Sequence, residues 1–400
     1  MKIACIDNMN HFMFVLARYF NDLGAETDLL LPGGEKTHFL PEADTVDINR
    51  WRGRIRPLGW GGMHRFFLTS PERIRQSVQG YDVILGTGFT PAYFARAGLK
   101  LDIYLTYVGD LVEGCFPTYE SKHRLAPVRY LGKRLIAPYQ RRGIQQSRVR
   151  LMGQPTPLVR DSYARLGCDY RALPFVYLYL DDFFADPDPA TLNPEALARF
   201  EVIRREHDVV LLHHSRQLWK TQECHGEGVK DNHVLFQGFA DYVKSARKKT
   251  ALVCFEYGLD VDESKRLVEQ LGLAAHVHWL PKVSRNTLKG MIRRADLVAD
   301  QFRLGWMGAA GWEAVASGVP LMINFNEAMF RQAFGFGVPA LMLARNREEI
   351  TATLARFEAD PEPFRQQAEE GKAWFDQRMG WGLAQRYLEL AEEVLRSKSG

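Results

Sequence analysis

The sequence predicts an α/β protein of two domains, each a parallel β-sheet covered by helices. Three observations predict it. Short apolar strands alternate with helical patterns from one end of the chain to the other, the sequence form of strand–helix–strand units. The chain has 400 residues, more than one hydrophobic core usually organises. The rhythm also breaks once, where Asp181, Asp182, Asp186, Pro187, Asp188 and Pro189 crowd a segment without periodicity, and then starts afresh. This places a linker near residues 181–195, the first domain at 1–185 and the second from 186 onward.

Taken in order, the first strand is expected at Lys2 to Ile6. A helix follows over Phe12 to Leu23, where Phe12, Val15, Leu16, Tyr19, Phe20 and Leu23 recur at three- and four-residue spacing and Gly24 closes it. Further strands are expected at Thr27 to Leu31, Asp82 to Leu85, Ile103 to Val108, Val149 to Met152 and Phe175 to Tyr179. The second half repeats the pattern with strands at Val209 to His213, Ala251 to Phe255, Val277 to Leu280, Leu297 to Ala299, Leu321 to Ile323 and Ala340 to Leu343. Helices lie between them near 231–246, 262–271, 284–294, 309–317 and 347–358. Beyond Pro361 the chain is helical in two pieces, divided at Met379 and Gly380. Two such sheets face each other across a cleft and bind ligands at the carboxyl ends of their strands, so the residues just after each strand are the candidates for a site.

Composition narrows the function classes. With 46% hydrophobic and 25% charged residues, extended disorder, a collagen-like repeat and a coiled coil are excluded. No apolar run approaches the roughly 18 to 20 residues of a membrane span. Met1 to Asp7 lacks the basic start and apolar stretch of a signal peptide, and a cytoplasmic location is expected. Five scattered cysteines, Cys5, Cys115, Cys168, Cys224 and Cys254, suit reduced thiols better than a disulfide framework. The net charge of +4 divides unevenly: residues 1–185 carry 24 Lys and Arg against 18 Asp and Glu, and the remainder 28 against 30. The excess concentrates in a tract from Lys122 to Arg160 with ten basic residues and no acidic one. An anionic membrane surface or a phosphate-bearing acceptor would suit it, with peripheral contact at the inner face of the membrane; no nucleic-acid partner is expected. The plainer alternative is a solvated helix face, with Leu125, Val128, Leu131, Leu135 and Ile136 recurring at helical spacing on the opposite, inner side.

The most informative stretch runs from Ala295 to Met322. A strand ends at Ala299, a glycine-punctuated loop follows, and a helix opens near Gly308 with small residues that let the backbone approach a ligand. Glu313 projects early in that helix. A carboxylate there can accept both hydroxyls of a ribose while the free amides of the helix start, at Gly308 and Ala309, face phosphate oxygens. Close helix-to-sheet packing would also explain Gly308, Ala309, Ala310 and Gly311, but it leaves the glutamate unexplained.

At this point the chain resembles a family. The pattern Gly-x-x-x-x-Glu-Ala-x-Ala-x-Gly-x-Pro, from Gly308 to Pro320, is similar to the donor-binding signature of the retaining GT-B glycosyltransferases of family 4, and Val283-Ser-Arg-Asn-Thr-Leu ahead of Ala295-Asp296 resembles the turn and helix before it. The likeness covers roughly residues 205–345. It implies the GT-B fold, two Rossmann-like domains across a cleft, and a donor-ribose role for Glu313. It also implies that the final helices, Phe364 to Phe375 and Leu383 to Leu395, cross back toward the first domain, aided by Trp374 and Trp381, so that residues 186–375 form the donor domain and 376–400 the returning segment. One departure stands out: where the family commonly has a second glutamate, contacting the sugar, this sequence has Gly305. Asp300, or the amides around Met307 and Gly308, could replace it; an acid after a strand is also often a turn or cap residue.

A second constellation follows the first strand of the second half, His213-His-Ser-Arg-Gln-Leu-Trp-Lys and then Gly228-Val-Lys-Asp-Asn-His. A departing diphosphate needs fixed positive charge, which a guanidinium and an ammonium supply without a metal. Arg216 and Lys230 stand where the resembled family has an arginine and a lysine, with an inserted loop, Trp219 to Glu227, between them. Lys220 is the rival phosphate ligand. His213, His214, Cys224, His225 and His233 match no standard zinc spacing, and no metal is expected. The loop Pro281-Lys282-Val283 is expected to meet the donor base.

In the first domain, Asp7-Asn-Met-Asn-His-Phe lacks Gly-x-Gly-x-x-Gly, which argues against a dinucleotide oxidoreductase. Asn8, Asn10 and His11 could meet donor or acceptor, although a helix-start role for His11 is equally open. Gly86-Thr-Gly88 is a weak phosphate signal. Asp110 lies where relatives place a residue touching the transferred sugar, with a cap as the alternative. The expected activity is therefore transfer of a sugar from a nucleotide diphosphate sugar to a glycan, lipid-linked or other acceptor, with retention implied by the resemblance and no cofactor required. A nucleotide-sugar epimerase of the same fold and a noncatalytic sugar-nucleotide binding protein are the alternatives.

Overall fold

A computed structural model describes residues 1–33, 39–119, 126–186, 189, 192–221 and 228–399. The chain divides into two compact units, Met1–Phe184 with Arg378–Gly400, and Ala185–Gln377. Each is built on one parallel sheet.

The first unit's sheet has the order β3-β2-β1-β4-β5-β6-β7, with β1 Lys2–Ile6, β2 Glu26–Leu31, β3 Ile55–Pro57, β4 Val83–Gly86, β5 Ile103–Thr106, β6 Val149–Met152 and β7 Arg171–Ala172. The central strands read as unbroken apolar runs because helices cover both faces; Ile3 to Ile6 are all fully buried. The order reverses between β1 and β4, which pair from Ile3 with Val83 to Ile6 with Gly86. The edge strands β3 and β7 carry no apolar run and were not foreseen from the sequence. Three other expectations need correction. Phe175 to Tyr179 is buried but forms no strand: Phe175 stacks on Phe12 with ring centroids 4.4 Å apart, and Tyr19 Oη, which donates to the carbonyl of Leu178, accepts from the amide of Leu180. The strand expected to reach Val108 stops at Thr106, and Val108–Cys115 is a helix. In the Ala126–Gln146 helix the inner side is Ile136, Ala137, Gln140, Gly143 and Ile144, while Val128, Leu131 and Leu135 face outward. Packing of this helix is close: a Cβ on Gly143 would collide with the carbonyl of Pro91. Leu125, Lys122 and Arg124 lie outside the described residues.

The expected linker begins too early. Asp181 and Asp182 belong to the helix Leu180–Phe184, where buried Arg18 donates to Asp182 at 2.6 Å and also pairs with Asp44. Pro187 and Asp188 lie outside the described residues. The chain returns to the first unit in the Trp381–Ser399 helix. There Trp381 meets the ring of Tyr19, Tyr387 donates to the carbonyl of Pro174 at 2.9 Å, and Lys398 bonds Asp102 at 2.7 Å. Trp374 does not return with it. It lies in the Glu362–Arg378 helix and stacks on Trp312 of the second unit, with centroids 6.2 Å apart.

The second unit's sheet runs β10-β9-β8-β11-β12-β13, with β8 Val209–His213, β9 Thr250–Phe255, β10 Val277–Leu280, β11 Leu297–Ala299, β12 Leu321–Ile323 and β13 Met342–Leu343. Its core gathers Leu211, Leu252, Leu297, Phe236 and Met322. The order reverses between β8 and β11, where Leu211 pairs with Leu297.

Candidate active site

A parallel sheet opens a crevice where its strand order reverses. In the second unit this point lies beyond His213 and Ala299. His213 ties the two strands together: its Nδ1 donates to the carbonyl of Ala299 at 2.9 Å and its Nε2 accepts from Asn232 at 2.8 Å. Burial pushes its pKa down to about 4, so it is a neutral strut. His233 stacks on Trp219. Cys224 and His225 lie outside the described residues.

The residues after the two strands interlock. The Ser215 hydroxyl donates to Asp300 Oδ1, and Asp300 Oδ2 stands 3.4 Å from the amide of Gly308. Lys230 is held by backbone on both sides, its amide donating to Leu218 and its carbonyl accepting from Phe302. Its Nζ donates to Gln301 Oε1 at 2.8 Å. A Cβ on Gly308 would lie 4.0 Å from that ammonium. Burial, with the positive charge of Arg216 adding to it, lowers the pKa of Lys230 although Asp300 pulls the other way. Arg216 donates weakly to the carbonyl of Gly228 at 3.4 Å. Arg216 and Lys230 thus hold two positive charges within electrostatic reach of each other, beside the start of the Ala309–Ser317 helix.

That helix has Gly308 at its N-cap and no acidic residue in its first turn. The first amides of a helix have no partner within it and carry its positive dipole end. Glu313 is buried one turn in. Its Oε1 accepts from Arg285 Nε at 2.7 Å, and His214 Nε2 lies 3.2 Å from Oε2. Burial alone would raise its pKa, but Arg285 and His214 outweigh burial and lower it, so the carboxyl is an anion. Gly305 has φ +62° and its backbone carbonyl accepts from Asn326 at 2.9 Å. A side chain there would be strained, and a Cβ would press on Asn326 at 3.3 Å. A carboxylate side chain at this point would therefore sit on a strained backbone.

The remaining candidates sit further out. Lys220 is exposed and pairs with Glu263 at 3.0 Å, while its amide joins those of Trp219 and Thr221 on Asp260. Residues 222–227 of the expected inserted loop lie outside the described residues. Lys282 is exposed, its ammonium 4.5 Å from the ring centre of Tyr257, and Val283 follows it just before the Arg285–Ile292 helix. The sequence reading missed His214 and Arg285 as the partners of Glu313. The available signal was positional: His214 directly follows β8, and Arg285 opens the helix after β10.

The first unit has its own cluster where β1 and β4 part. Asp7, Asn10 and His11 all have positive φ, at 77°, 52° and 65°, and Asn10 donates to Tyr107 Oη at 3.1 Å. Asn8 is fully buried, donating to the carbonyl of Phe39 and accepting from the amide of Phe14. Asp110 lies in the first turn of its helix rather than after a strand, and its Oδ2 accepts from the amide of Gly88 at 2.8 Å. Burial, followed by repulsion from Asp7, raises its pKa to about 7.

Residues 226–374 match the family described as Glycosyl transferases group 1. By sequence, no curated protein matches the chain. Among solved structures, Anabaena HepE in complex with UDP and glucose is 15% identical with a TM-score of 0.62, over 98% of this chain and 100% of that one. The catalytic domain of starch synthase IV from Arabidopsis thaliana, bound to ADP and acarbose, is 12% identical with a TM-score of 0.60, over 99% of each chain. Sucrose-phosphate synthase from Thermosynechococcus elongatus is 13% identical with a TM-score of 0.59, over 99% of this chain and 100% of that one. The fold is GT-B, a pair of Rossmann-like domains.

Proposed function

We propose that the protein is a glycosyltransferase that moves a sugar from a nucleotide diphosphate sugar to a glycan, lipid-linked or other acceptor, with retention and without a required metal. One observation carries this reading: Arg216, Lys230 and the open start of the Ala309–Ser317 helix converge at the strand reversal of the second unit, beside the buried anion Glu313. Two cations and helix amides suit a diphosphate, and a carboxylate one turn along suits ribose hydroxyls. The match of residues 226–374 to Glycosyl transferases group 1 and the nucleotide complexes of the structural neighbours support the same assignment. The described cysteines Cys5, Cys115, Cys168 and Cys254 are free thiols, which suits the expected cytoplasmic setting.

In this mechanism the acceptor hydroxyl oxygen attacks the anomeric carbon on the face from which the diphosphate leaves. The new carbon–oxygen bond forms as the bond to the diphosphate breaks, and the acceptor proton passes to a donor phosphate oxygen. Arg216 and Lys230 neutralise the charge that develops on the leaving group. Glu313 fixes the ribose, with Arg285 and His214 as its positioning residues.

One observation favours the epimerase alternative: Asp110, with a pKa raised to about 7, is suited to acid–base work near neutral pH. The test separates the readings. A thermal-shift screen of UDP, GDP, dTDP, CMP and their sugars identifies the donor, because a ligand of the folded state raises Tm. Labelled donor is then incubated with and without acceptor. Transfer lost in Arg216→Ala and in Glu313→Gln, with the fold intact, supports the proposal. A changed sugar in the absence of acceptor identifies an epimerase, and unaltered transfer in both variants overturns the site.

A further inference from the structure

The Ala126–Gln146 helix is apolar on more than its buried side. Its inner side holds Ile136, Ala137, Gln140, Gly143 and Ile144, and its outward side holds Val128, Leu131, Leu135 and Tyr139. These are 68%, 58%, 53% and 37% exposed. Spacings of three, four and four residues put them on one stripe. The stripe continues onto a neighbouring segment: Phe66 meets Tyr139 at 5.3 Å and Phe67 at 4.9 Å between ring centroids. Beyond Phe66, Phe67 is 52% and Leu68 84% exposed. Six large apolar side chains therefore reach water along one helix and the loop beside it, where a soluble monomer ordinarily keeps such patches small.

The charge around the stripe selects what covers it. Arg129, Arg134 and Arg142 are exposed on the same helix, and no acidic residue occurs from 121 to 160. Lys133 is already paired with Glu113 at 2.5 Å. A second copy seated on the same patch about a two-fold axis would set these arginines against their own equivalents. An anionic lipid bilayer takes both features at once, apolar side chains at the acyl boundary and guanidinium groups among the phosphates. Among the described residues no helix is long and apolar enough to cross a membrane, so the contact is with the bilayer surface.

We propose that the outward face of the Ala126–Gln146 helix, together with Phe67 and Leu68, docks the protein on an anionic bilayer by shallow insertion. The inference builds on the attraction expected of the basic tract and is independent of glycosyl transfer, because it is read without donor or acceptor.

The test is flotation of the full chain with phosphatidylglycerol-containing vesicles and with phosphatidylcholine vesicles. Binding to the first, at least about tenfold weaker to the second and reduced by salt, is expected. Leu131→Gln with Leu135→Gln is expected to weaken binding about tenfold or more while leaving the fold intact, since both sites are exposed and glutamine is a good helix former. Arg134→Glu with Arg142→Glu is expected to abolish the preference for phosphatidylglycerol. Neither pair is expected to alter the nucleotide-induced rise in Tm, so a failure here is distinct from a failure of the transferase reading. Wild-type binding by the leucine variant would overturn insertion. A concentration-dependent dimer in sedimentation that the leucine variant abolishes, with no vesicle binding, would assign the stripe to a second copy instead.

Discussion

Arg285 Nε lies 2.7 Å from Oε1 of Glu313, inside a site where His214 approaches the other carboxylate oxygen. Each oxygen retains acceptor capacity for a ribose hydroxyl, so the same residues that keep Glu313 ionised leave it able to bind. Replacing Glu313 by Ala removes that carboxylate from the partly buried guanidinium of Arg285 and is expected to lower stability by about 2 kcal/mol, seen in urea melts. Glu313→Gln keeps the shape and loses the charge. It is expected to weaken nucleotide binding about tenfold or more in calorimetry, with a smaller loss of stability than the alanine variant.

Lys230 supplies a pH signature. Burial and the charge of Arg216 hold its pKa below the ordinary lysine value, so the positive charge is lost at lower pH than for a surface lysine. Affinity for a nucleoside diphosphate is expected to fall as pH rises through that depressed value. In Lys230→Arg this alkaline fall should vanish, since a guanidinium stays charged. Lys230→Ala and Arg216→Ala are each expected to reduce kcat by about 10² to 10³, measured at saturating donor.

His213 makes stability depend on acid. Its pKa falls from 6.5 to about 4 on folding, so the unfolded chain takes up the proton first. The stability it contributes is complete above about pH 6.5 and is lost as pH falls toward 4, on the order of 3 kcal/mol in total. Unfolding measured across that window should be flatter in His213→Asn, which is less stable at neutral pH for want of the link to Ala299 and Asn232.

Asp110 has the opposite sign. Burial and Asp7 raise its pKa from 3.8 to about 7, so the stability the neutral acid contributes is complete below about pH 3.8 and is lost as pH rises to 7. Asp110→Asn is expected to raise Tm at pH 8 and to leave it nearly unchanged only near about pH 3. If Asp110 also contacts the sugar, the gain in stability will accompany a loss of turnover.

Much of this architecture was legible in the residues, for a physical reason. β8, β9, β11 and β12 are apolar runs bounded by polar turns, and a parallel strand buried on both faces leaves that trace. The edge strands β3 and β7 lack it because one side meets solvent. Phe175 to Tyr179 misled because burial by aromatic packing leaves the same apolar run as a strand. The outward stripe of the Ala126–Gln146 helix misled in a different way: periodicity shows that apolar residues share a face and does not say which way the face points. At the candidate site, Arg216, Lys230 and Glu313 were expected from the chemistry of a diphosphate leaving group and from the family resemblance, and the structure sets Lys230 beside Gly308 at the start of the helix that carries Glu313. His214 and Arg285 were missed because they act on Glu313 across 99 and 28 residues of chain, a relation that only the folded sheet creates.

The second unit, Ala185–Gln377, interrupts the first, whose final helix is Trp381–Ser399. During synthesis the interrupting unit is fully made while its host still lacks a wall: Tyr19, Pro174 and Asp102 wait for Trp381, Tyr387 and Lys398. The first unit can therefore complete its packing only after the second has been synthesised. Without the Trp381–Ser399 helix the second unit's sheet would be complete while Tyr19, Pro174 and Asp102 lacked these partners, so the defect would fall on residues translated first.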